Sequence, residues 1–435
     1  MPDCLVAGAG LAGSEAAWQL AKAGFEVELY EMRPELMTPA HKTSLPAELV
    51  CSNSLGTNDP LKASGLLKEE LRELDSLLIA LAQEARVPAG QALSVDRRVF
   101  SELVLKKLES LPNLKIVRRE LQEIPLDTPA ILATGPLTSS NLAEALKTFC
   151  GSDFLYFFDA VSPVVAAPSL NREKIYPGNR YRPEELDYLN CPFSQTEYQK
   201  FYQALINAEL APVKEFEKKH FFEGCLPIEE IASRGENTMR FGPLKPVGLP
   251  YPGTNQIPYA AVQLRREDLE GNLFGLVGFQ TRLKFKEQER VFRLIPGMEE
   301  AEFVRFGVMH KNLFLNAPTL LAPTLQFHKN PNLLAAGQIT GVEGYVESIA
   351  TGWLAGTNLA RLLRGEPPLA PPKESALGAL MHSITQADPK KFQPTNINFS
   401  LLFSSGEKVK NKADRNTKIV EKAREAIKTW REELI

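Results

Sequence analysis

The feature that most constrains the fold is a segment, DCLVAGAGLAGSEAAWQLAKAGFEVELYE, that combines a strand, a glycine turn, a helix and a second strand. Gly8, Gly10 and Gly13 form a G-x-G-x-x-G turn, and Glu31 ends the second strand. In such a unit the glycines permit the tight turn, the close approach of a pyrophosphate and close helix packing, while the acid accepts hydrogen bonds from ribose hydroxyls. A glycine turn without a ligand is the alternative, but the complete unit favours dinucleotide binding. The residues expected at the cofactor are Gly8, Ala9, Gly10, Leu11, Ala12, Gly13 and Glu31.

Composition limits the remaining function classes. The chain has 435 residues, 44% hydrophobic and 24% charged, as in a globular protein long enough for two domains. A net charge of −3 means that nucleic-acid binding must depend on local basic patches. The five cysteines are widely spaced without a C-x-x-C pair, which argues against a disulfide framework or a metal site. We expect a cytoplasmic protein without a signal peptide or membrane span, because no apolar run approaches the roughly 20 residues that cross a bilayer.

A second glycine turn occurs late in the chain, where an apolar strand runs into GQITGVEG and a helix follows. An earlier apolar strand ends in Thr134-Gly135. Together with the first turn, this order is typical of a glutathione-reductase-type FAD-binding Rossmann fold, an α/β architecture in which the late turn faces the flavin. Close packing of a glycine-rich helix, without a cofactor, is the alternative. The further residues expected at FAD are Gly135, Gly337, Gln338, Gly341 and Gly344.

The middle of the chain has a different character. Prolines, aromatics and short strands become frequent over 171–297, and Ser194 and Glu197 form a capping box that opens an amphipathic helix. We therefore predict an inserted mixed α/β domain over 171–297, between the two parts, 1–170 and 298–435, of a discontinuous FAD-binding domain. Earlier, leucines spaced three and four apart over 67–81 predict one helical apolar face, and Asp96 suits the N-cap of a helix that buries Val99, Leu103 and Leu108.

Several long blocks carry a resemblance to a known family. They are CSNSLGTNDP, YLNCPFSQTEYQKFYQALINAE, FFEGCLPIEEIASRGENTMRFGPLKPVGL, GFQTRLKFKEQERVFRLIPG, VRFGVMHKN and GQITGVEGYVESIATG. In these blocks the chain resembles the TrmFO family of folate- and FAD-dependent tRNA uracil-5 methyltransferases, over nearly its whole length. That family is similar in fold to the MnmG (GidA) proteins, which modify the wobble uridine, but the CSNSL block departs from the MnmG pattern. An MnmG-like enzyme and a non-catalytic tRNA-binding flavoprotein are the alternatives.

The resemblance implies a reaction. TrmFO enzymes take the methylene of 5,10-methylenetetrahydrofolate, reduce it with FAD that NADH or NADPH has supplied with electrons, and deliver a methyl group to uridine 54 in the T loop of tRNA. Carbon 5 of uracil is a poor nucleophile until a thiolate adds to carbon 6, so at least one reactive cysteine is expected. Cys51 lies in a polar loop, and Cys225 precedes a predicted helix whose N-terminus favours the thiolate. The resemblance implies that Cys51 works beside flavin nitrogen 5 and Cys225 adds to uracil, or the reverse; two incidental thiols are the alternative.

The same resemblance implies that the inserted domain over 171–297 lies on the folate and tRNA side, and it implies further site residues. His310 is expected to stack on the folate pterin, with Glu343 and Tyr345 nearby, although a core histidine and an ordinary helix start are the alternatives. Candidate tRNA contacts, some interleaved with Phe285 and Phe292, are Arg282, Lys284, Lys286, Lys408, Lys410 and Arg415. A solvated helix face is the alternative for any one of these cations. No metal and no protein partner is expected, and without a second G-x-G-x-x-G the nicotinamide is expected to bind transiently.

Overall fold

The structure is a computed structural model that describes residues 1–151, 155–180, 182, 184–211, 226–402 and 411–434. Its helices are α1 (Leu11–Lys22), α2 (Ala63–Glu73), α3 (Leu77–Glu84), α4 (Arg97–Glu109), α5 (Ser140–Cys150), α6 (Gln195–Ile206), α7 (Ile228–Ser233), α8 (Thr238–Phe241), α9 (Phe285–Phe292), α10 (Ala317–Leu320), α11 (Tyr345–Leu363), α12 (Ala376–Thr385) and α13 (Lys412–Leu434). Its strands are β1 (Cys4–Ala7), β2 (Val27–Glu31), β3 (Ser54–Thr57), β4 (Arg86–Val87), β5 (Ala92–Val95), β6 (Leu114–Arg118), β7 (Ala130–Leu132), β8 (Leu155–Ala160), β9 (Val164–Ala166), β10 (Tyr176–Pro177), β11 (Tyr188–Phe193), β12 (Ala260–Arg266), β13 (Leu273–Leu276), β14 (Phe303–Arg305), β15 (Met309–Phe314), β16 (Gln326–Phe327) and β17 (Asn330–Ala335).

The first sheet positions the glycine turns. Its strand order is β16-β17-β7-β1-β2-β6, and all neighbours are parallel except β16 and β17. Strands β1, β7 and β17 lie side by side, with Val6 opposite Ile131 and Ile131 opposite Leu334. The carboxyl ends of these parallel strands meet at one edge of the sheet, which is where open α/β sheets bind ligands. The predicted α/β Rossmann architecture is confirmed, and its three glycine-containing turns share that edge.

Close packing of α1 on α11 fixes this edge. A Cβ atom added to Gly352 would lie 2.2 Å from the carbonyl oxygen of Ala12, and one added to Gly356 would lie 2.7 Å from that of Ala16. No side chain fits at either position, because a carbon atom cannot approach an oxygen so closely without moving the backbone. The two glycines therefore let the backbones of α11 and α1 pack directly against each other.

A second, antiparallel sheet follows the order β10-β11-β12-β13-β9-β14. Helices α6, α7 and α9 contribute to its separate core, which contains the fully buried rings of Phe193, Phe201 and Phe279. The capping box at the start of α6 is confirmed, since the Ser194 side chain accepts from the Glu197 N–H and the Glu197 carboxylate accepts from the Ser194 N–H. Strands β9 and β14 lie outside 171–297, and the exact domain boundaries stay a prediction.

Two smaller sheets connect these cores. Strand β8 pairs with β15, and β3, β5 and β4 form a short antiparallel sheet. The carbonyl of Arg266, at the end of β12, accepts a hydrogen bond from Asn53 at 2.9 Å, and the loop that contains Cys51 runs between the two large cores. That loop is therefore held by both parts of the molecule.

Two local predictions were wrong in detail. The leucines of 67–81 form two helices, α2 and α3, because Asp75 takes a positive φ of 56° between them. Asp96 does cap α4, but the helix buries Phe100, Val104 and Leu108, and it leaves Val99 and Leu103 only partly buried.

Helix α13 packs against the first core. Trp430 contacts Trp353 with ring centroids 6.0 Å apart, and Arg424 pairs with Glu69 at 2.7 Å. In the described part of the chain, no helix has both the length and the apolar character needed to cross a membrane. The same residues provide no group of three or more His, Cys, Asp or Glu side chains that could hold a metal ion.

Candidate functional site

The first glycine turn has the geometry that a pyrophosphate requires. Gly8 has a φ of +95°, which favours glycine, and a Cβ on Gly13 would lie 1.7 Å from the Gly8 carbonyl oxygen. A Cβ on Gly10 would meet no atom within 4 Å, so this position faces open space. Helix α1 begins there with no side-chain cap and no acidic residue in its first turn. Its N–H groups are consequently available to an anionic group, and these residues fit the phosphates of a dinucleotide.

Glu31 is more constrained than the sequence indicates. Its carboxylate accepts hydrogen bonds from the Ala9 N–H at 3.0 Å and from Arg33 Nε at 2.8 Å. Arg33 is buried and pairs with Glu48 as well, at 3.1 Å. Burial of Glu31 would raise its pKa, but the hydrogen bonds and positive charge of Arg33 outweigh that effect, so the pKa lies below its usual value. The acid therefore stays ionised and ties the glycine turn to β2.

The late glycine turn lies beside the first, and both line one open cleft. Gly337 has a φ of +80°, and a Cβ on it would lie 2.9 Å from that of Ala12, so the two turns are in close contact. The predicted cofactor residues that line the cleft are Gly8, Gly10, Leu11, Ala12, Glu31, Gly135, Gly337 and Gln338. Ala9, Gly13, Gly341 and Gly344 do not line it and shape the turns from behind.

Tyr345 connects this cleft to Cys51. The tyrosine lines the cleft, and its hydroxyl oxygen accepts hydrogen bonds from the backbone N–H of Cys51 at 2.8 Å and of Ser52 at 3.1 Å. Burial raises the pKa of Tyr345, so the side chain stays a neutral phenol. The Cys51 thiol is partly exposed, and its Sγ lies 3.8 Å from the Ala160 carbonyl oxygen. The structure thus gives Tyr345 a role in holding the cysteine loop, which the sequence did not suggest.

Two arginines that sequence reasoning missed converge on the same loop. Arg305 donates to the carbonyl of Cys51 at 3.3 Å, and Arg97 donates to it at 3.5 Å. Arg97 also pairs with Glu267 at 2.8 Å. Burial and the neighbouring Arg97 lower the pKa of Arg305 to about 10, and its Nε has no hydrogen-bond partner among the described residues. Positive charge is therefore concentrated beside Cys51, where it would stabilise an anion.

The other predicted catalytic and folate residues are only partly described. Residue His310 lies on β15 opposite Asp159 of β8, one position from Ala160, so its strand adjoins the Cys51 loop. Glu343 is buried and accepts a hydrogen bond from Gln338. Cys225 lies outside the described residues, although the helix expected after it is present as α7, which begins at Ile228. The roles of these residues stay predictions.

The candidate tRNA contacts divide into groups. The Arg282 side chain is 7% exposed and pairs with Glu230, so an RNA phosphate would have to compete with this ion pair, and its role stays a prediction. Lys284 is exposed and pairs with Glu209 at 2.7 Å, and Lys286 is exposed. Lys408 and Lys410 lie outside the described residues, and Arg415 is partly buried on α13.

Comparison with known proteins identifies the family. Residues 3–367 match the family model described as glucose inhibited division protein A. The chain is 55% identical to methylenetetrahydrofolate--tRNA-(uracil-5-)-methyltransferase TrmFO of Pelotomaculum thermopropionicum, covering 99% of this chain and 98% of that protein. It is 54% identical to the protein of that name from Bacillus subtilis (strain 168), with 98% and 97% covered. The solved structure of Aquifex aeolicus GidA has the same fold, with a TM-score of 0.69 at 17% identity, covering 98% of this chain and 76% of that one. Identity of this extent over nearly the full length means that the chain belongs to the TrmFO family, within the wider GidA superfamily.

Proposed function

We propose that this protein is an FAD-dependent methyltransferase that uses 5,10-methylenetetrahydrofolate to form 5-methyluridine at position 54 of the tRNA T loop. The observation that carries the proposal is the link from the dinucleotide cleft, through the Tyr345 hydroxyl, to the backbone of a partly exposed Cys51. The name of the curated relatives, which describes this activity for them, supports it. We further propose that NADH or NADPH supplies the electrons and that the reaction takes place in the cytoplasm.

FAD is the cofactor that the cleft residues fit. The open space at Gly10, the uncapped start of α1 and the acid at Glu31 are suited to its pyrophosphate and ribose, while the turn at Gly337 is suited to its flavin end. A folate methylene is at the oxidation level of formaldehyde, so methyl formation needs two electrons, which bound FAD would pass on from the nicotinamide. The proposed chemistry uses no metal ion.

In the proposed transfer, the protein side chains activate the uracil ring. A cysteine thiolate adds to carbon 6, which makes carbon 5 nucleophilic toward the one-carbon unit. Carbon 5 bonds to the one-carbon unit as the bond from that unit to a folate nitrogen breaks, and loss of the carbon 5 proton and departure of the thiolate then restore the double bond. The two electrons that complete the methyl group would come from the nicotinamide through FAD. The guanidinium groups of Arg97 and Arg305, which contact the Cys51 carbonyl, favour negative charge in this loop. In the proposal, one of Cys51 and Cys225 adds to uracil and the other works beside the flavin. The test below distinguishes which cysteine has which role.

The test replaces each cysteine with alanine and measures methyl transfer separately from flavin reduction. Cys51→Ala and Cys225→Ala are expected to lose at least about 100-fold in transfer to unmodified tRNA while the nicotinamide still reduces the flavin. Only the variant that retains the uracil-attacking thiol is expected to form a covalent adduct with tRNA. Cys150→Ala is the matched control, because Cys150 is also a partly exposed free thiol and burial raises its pKa to about 11. Full methylation by both variants would contradict the catalytic assignment.

A further inference from the structure

A stack of phenylalanine rings runs from the core of the second sheet to the surface. Phe292 is fully buried, and its ring centroid lies 6.4 Å from that of Phe303. Phe306 lies nearly parallel to Phe303 at 5.4 Å, and Phe285 nearly parallel to Phe306 at 4.8 Å. The outermost ring, Phe285, is 53% exposed. A ring that is covered on one face and exposed to this degree offers its other face to a ligand.

Hydrogen bonds fix the geometry of this stack. The buried Gln288, on the same helix as Phe285, donates to the carbonyl of Gly307 at 2.8 Å and accepts from its N–H at 2.7 Å. A Cβ on Gly307 would lie 2.5 Å from the Thr281 methyl carbon, so the chain beside Phe306 is closely confined. The rings of Phe285 and Phe306 are therefore held in place before any ligand binds, which reduces the entropy lost on binding.

The charges around Phe285 suit a polyanion. Lys286 is exposed and, within the ranges that the structure describes, makes no ion pair. The exposed Lys284 pairs with the exposed Glu209. A surface pair of this kind contributes little free energy, so phosphate can replace the carboxylate at small cost.

The stack is continuous with the candidate site. Arg305 precedes Phe306 in the chain, and its guanidinium reaches the carbonyl of Cys51 at 3.3 Å. None of the four stacked rings lines the dinucleotide cleft. The exposed ring therefore lies outside the cofactor cleft, and Phe306, against which it stacks, is the chain neighbour of the arginine that contacts the loop of the candidate nucleophile.

We propose that the outer face of Phe285 stacks an unpaired nucleobase of the RNA substrate and so positions that RNA at the cysteine loop. This assignment rests on the proposed function, which makes RNA the substrate. Stacking on an aromatic face is open to any base and is strengthened by nearby cations that neutralise the backbone. A folate pterin is the other flat ligand of the reaction, but a ring outside the cleft and beside an exposed lysine fits RNA better.

The experiment measures binding of an unmodified tRNA transcript to the FAD-loaded protein at several salt concentrations. Phe285→Leu, which keeps an apolar side chain without a flat face, and Phe285→Ala are expected to weaken binding by about 5- to 150-fold. Phe285→Trp should bind as the unaltered protein does. Phe241→Ala is the matched control, because Phe241 is also exposed, at 84%, but is not part of the stack. The Phe285 variants should keep the salt dependence, whereas Lys286→Ala should reduce it.

Suppose that the unaltered protein methylates tRNA and that Phe285→Leu binds tRNA with unchanged affinity. This result would overturn the stacking assignment and leave the proposed function intact. A raised KM for methylenetetrahydrofolate at unchanged tRNA affinity would overturn it in favour of folate. If the unaltered protein neither binds nor methylates tRNA, the proposed function fails and the assignment fails with it.

Discussion

Replacement of Tyr345 by phenylalanine isolates the contact that joins the cleft to the cysteine loop. The change removes only the hydroxyl oxygen, which accepts from the N–H groups of Cys51 and Ser52 at 2.8 and 3.1 Å. A hydrogen bond contributes about 0.5–1.5 kcal/mol net, and a buried donor left without a partner costs about 1–3 kcal/mol. Because both amides are partly buried, we expect the free energy of unfolding to fall by about 1–4 kcal/mol.

The effect on activity should be larger than this loss of stability indicates. A displacement of about 1 Å at a reacting group can cost about 100-fold in rate, so kcat/KM for methyl transfer should fall by about 10- to 100-fold. Flavin binding should change little, since the phenyl ring remains in the cleft. The assays are urea denaturation, flavin absorbance after desalting, and transfer of labelled methyl to tRNA.

The matched control is Tyr176→Phe. Its hydroxyl donates one hydrogen bond, to the carbonyl of Leu249 at 2.9 Å, and the residue does not line the cleft. This variant should lose about 1 kcal/mol of stability and keep full methyl transfer. If Tyr345→Phe behaves in the same way, the reasoning that the hydroxyl positions Cys51 is refuted.

Three further perturbations address the framework. Gly352→Val should destabilise the protein by about 3 kcal/mol or more and lower its flavin content, because the Cβ would lie 2.2 Å from the Ala12 carbonyl oxygen; normal denaturation would contradict this. Arg33→Met should cost about 3–5 kcal/mol in denaturation experiments, since it leaves the buried Glu31 without its cation, and a neutral effect would refute that pairing. Burial raises the pKa of Glu70 from 4.5 to about 8, so the folded chain holds a proton that the unfolded chain releases. Through Glu70, stability should therefore fall as pH rises from about 4.5 to about 8, by up to about 1.4 kcal/mol per pH unit. Glu70→Gln should reduce that slope, to which the buried Glu347 also contributes, and an equal slope in both proteins would disprove the role of Glu70.

The parts of the fold that could be predicted are those that local sequence patterns determine. The glycine turn at Gly8 and the capping box at Ser194 each depend on residues near one another in sequence. The leucine spacing gave a wrong prediction of one continuous helical face, because the positive φ of Asp75 separates α2 from α3. Spacing alone also could not tell which aromatic of α9 is exposed: Phe285 is, and Phe292 is buried.

The residues that hold the candidate site in place could not be predicted, because they come from distant parts of the chain. Tyr345 lies 294 positions from Cys51, and Arg305 lies 254 positions from it. Arg33 is close to Glu31 in sequence, but its pairing with Glu48 depends on a loop that returns to the end of β2. Tertiary contacts of this kind leave no periodic signal, whereas the strand-turn-helix unit does.

The most direct test of the account follows carbon from folate into RNA. Protein loaded with FAD is incubated with NADPH, unmodified tRNA and 5,10-methylenetetrahydrofolate labelled in its methylene carbon, with labelled S-adenosylmethionine in a parallel reaction. We expect label in 5-methyluridine at position 54 from folate alone. Label that comes from S-adenosylmethionine, or tRNA that stays unlabelled while the flavin is reduced, would contradict it.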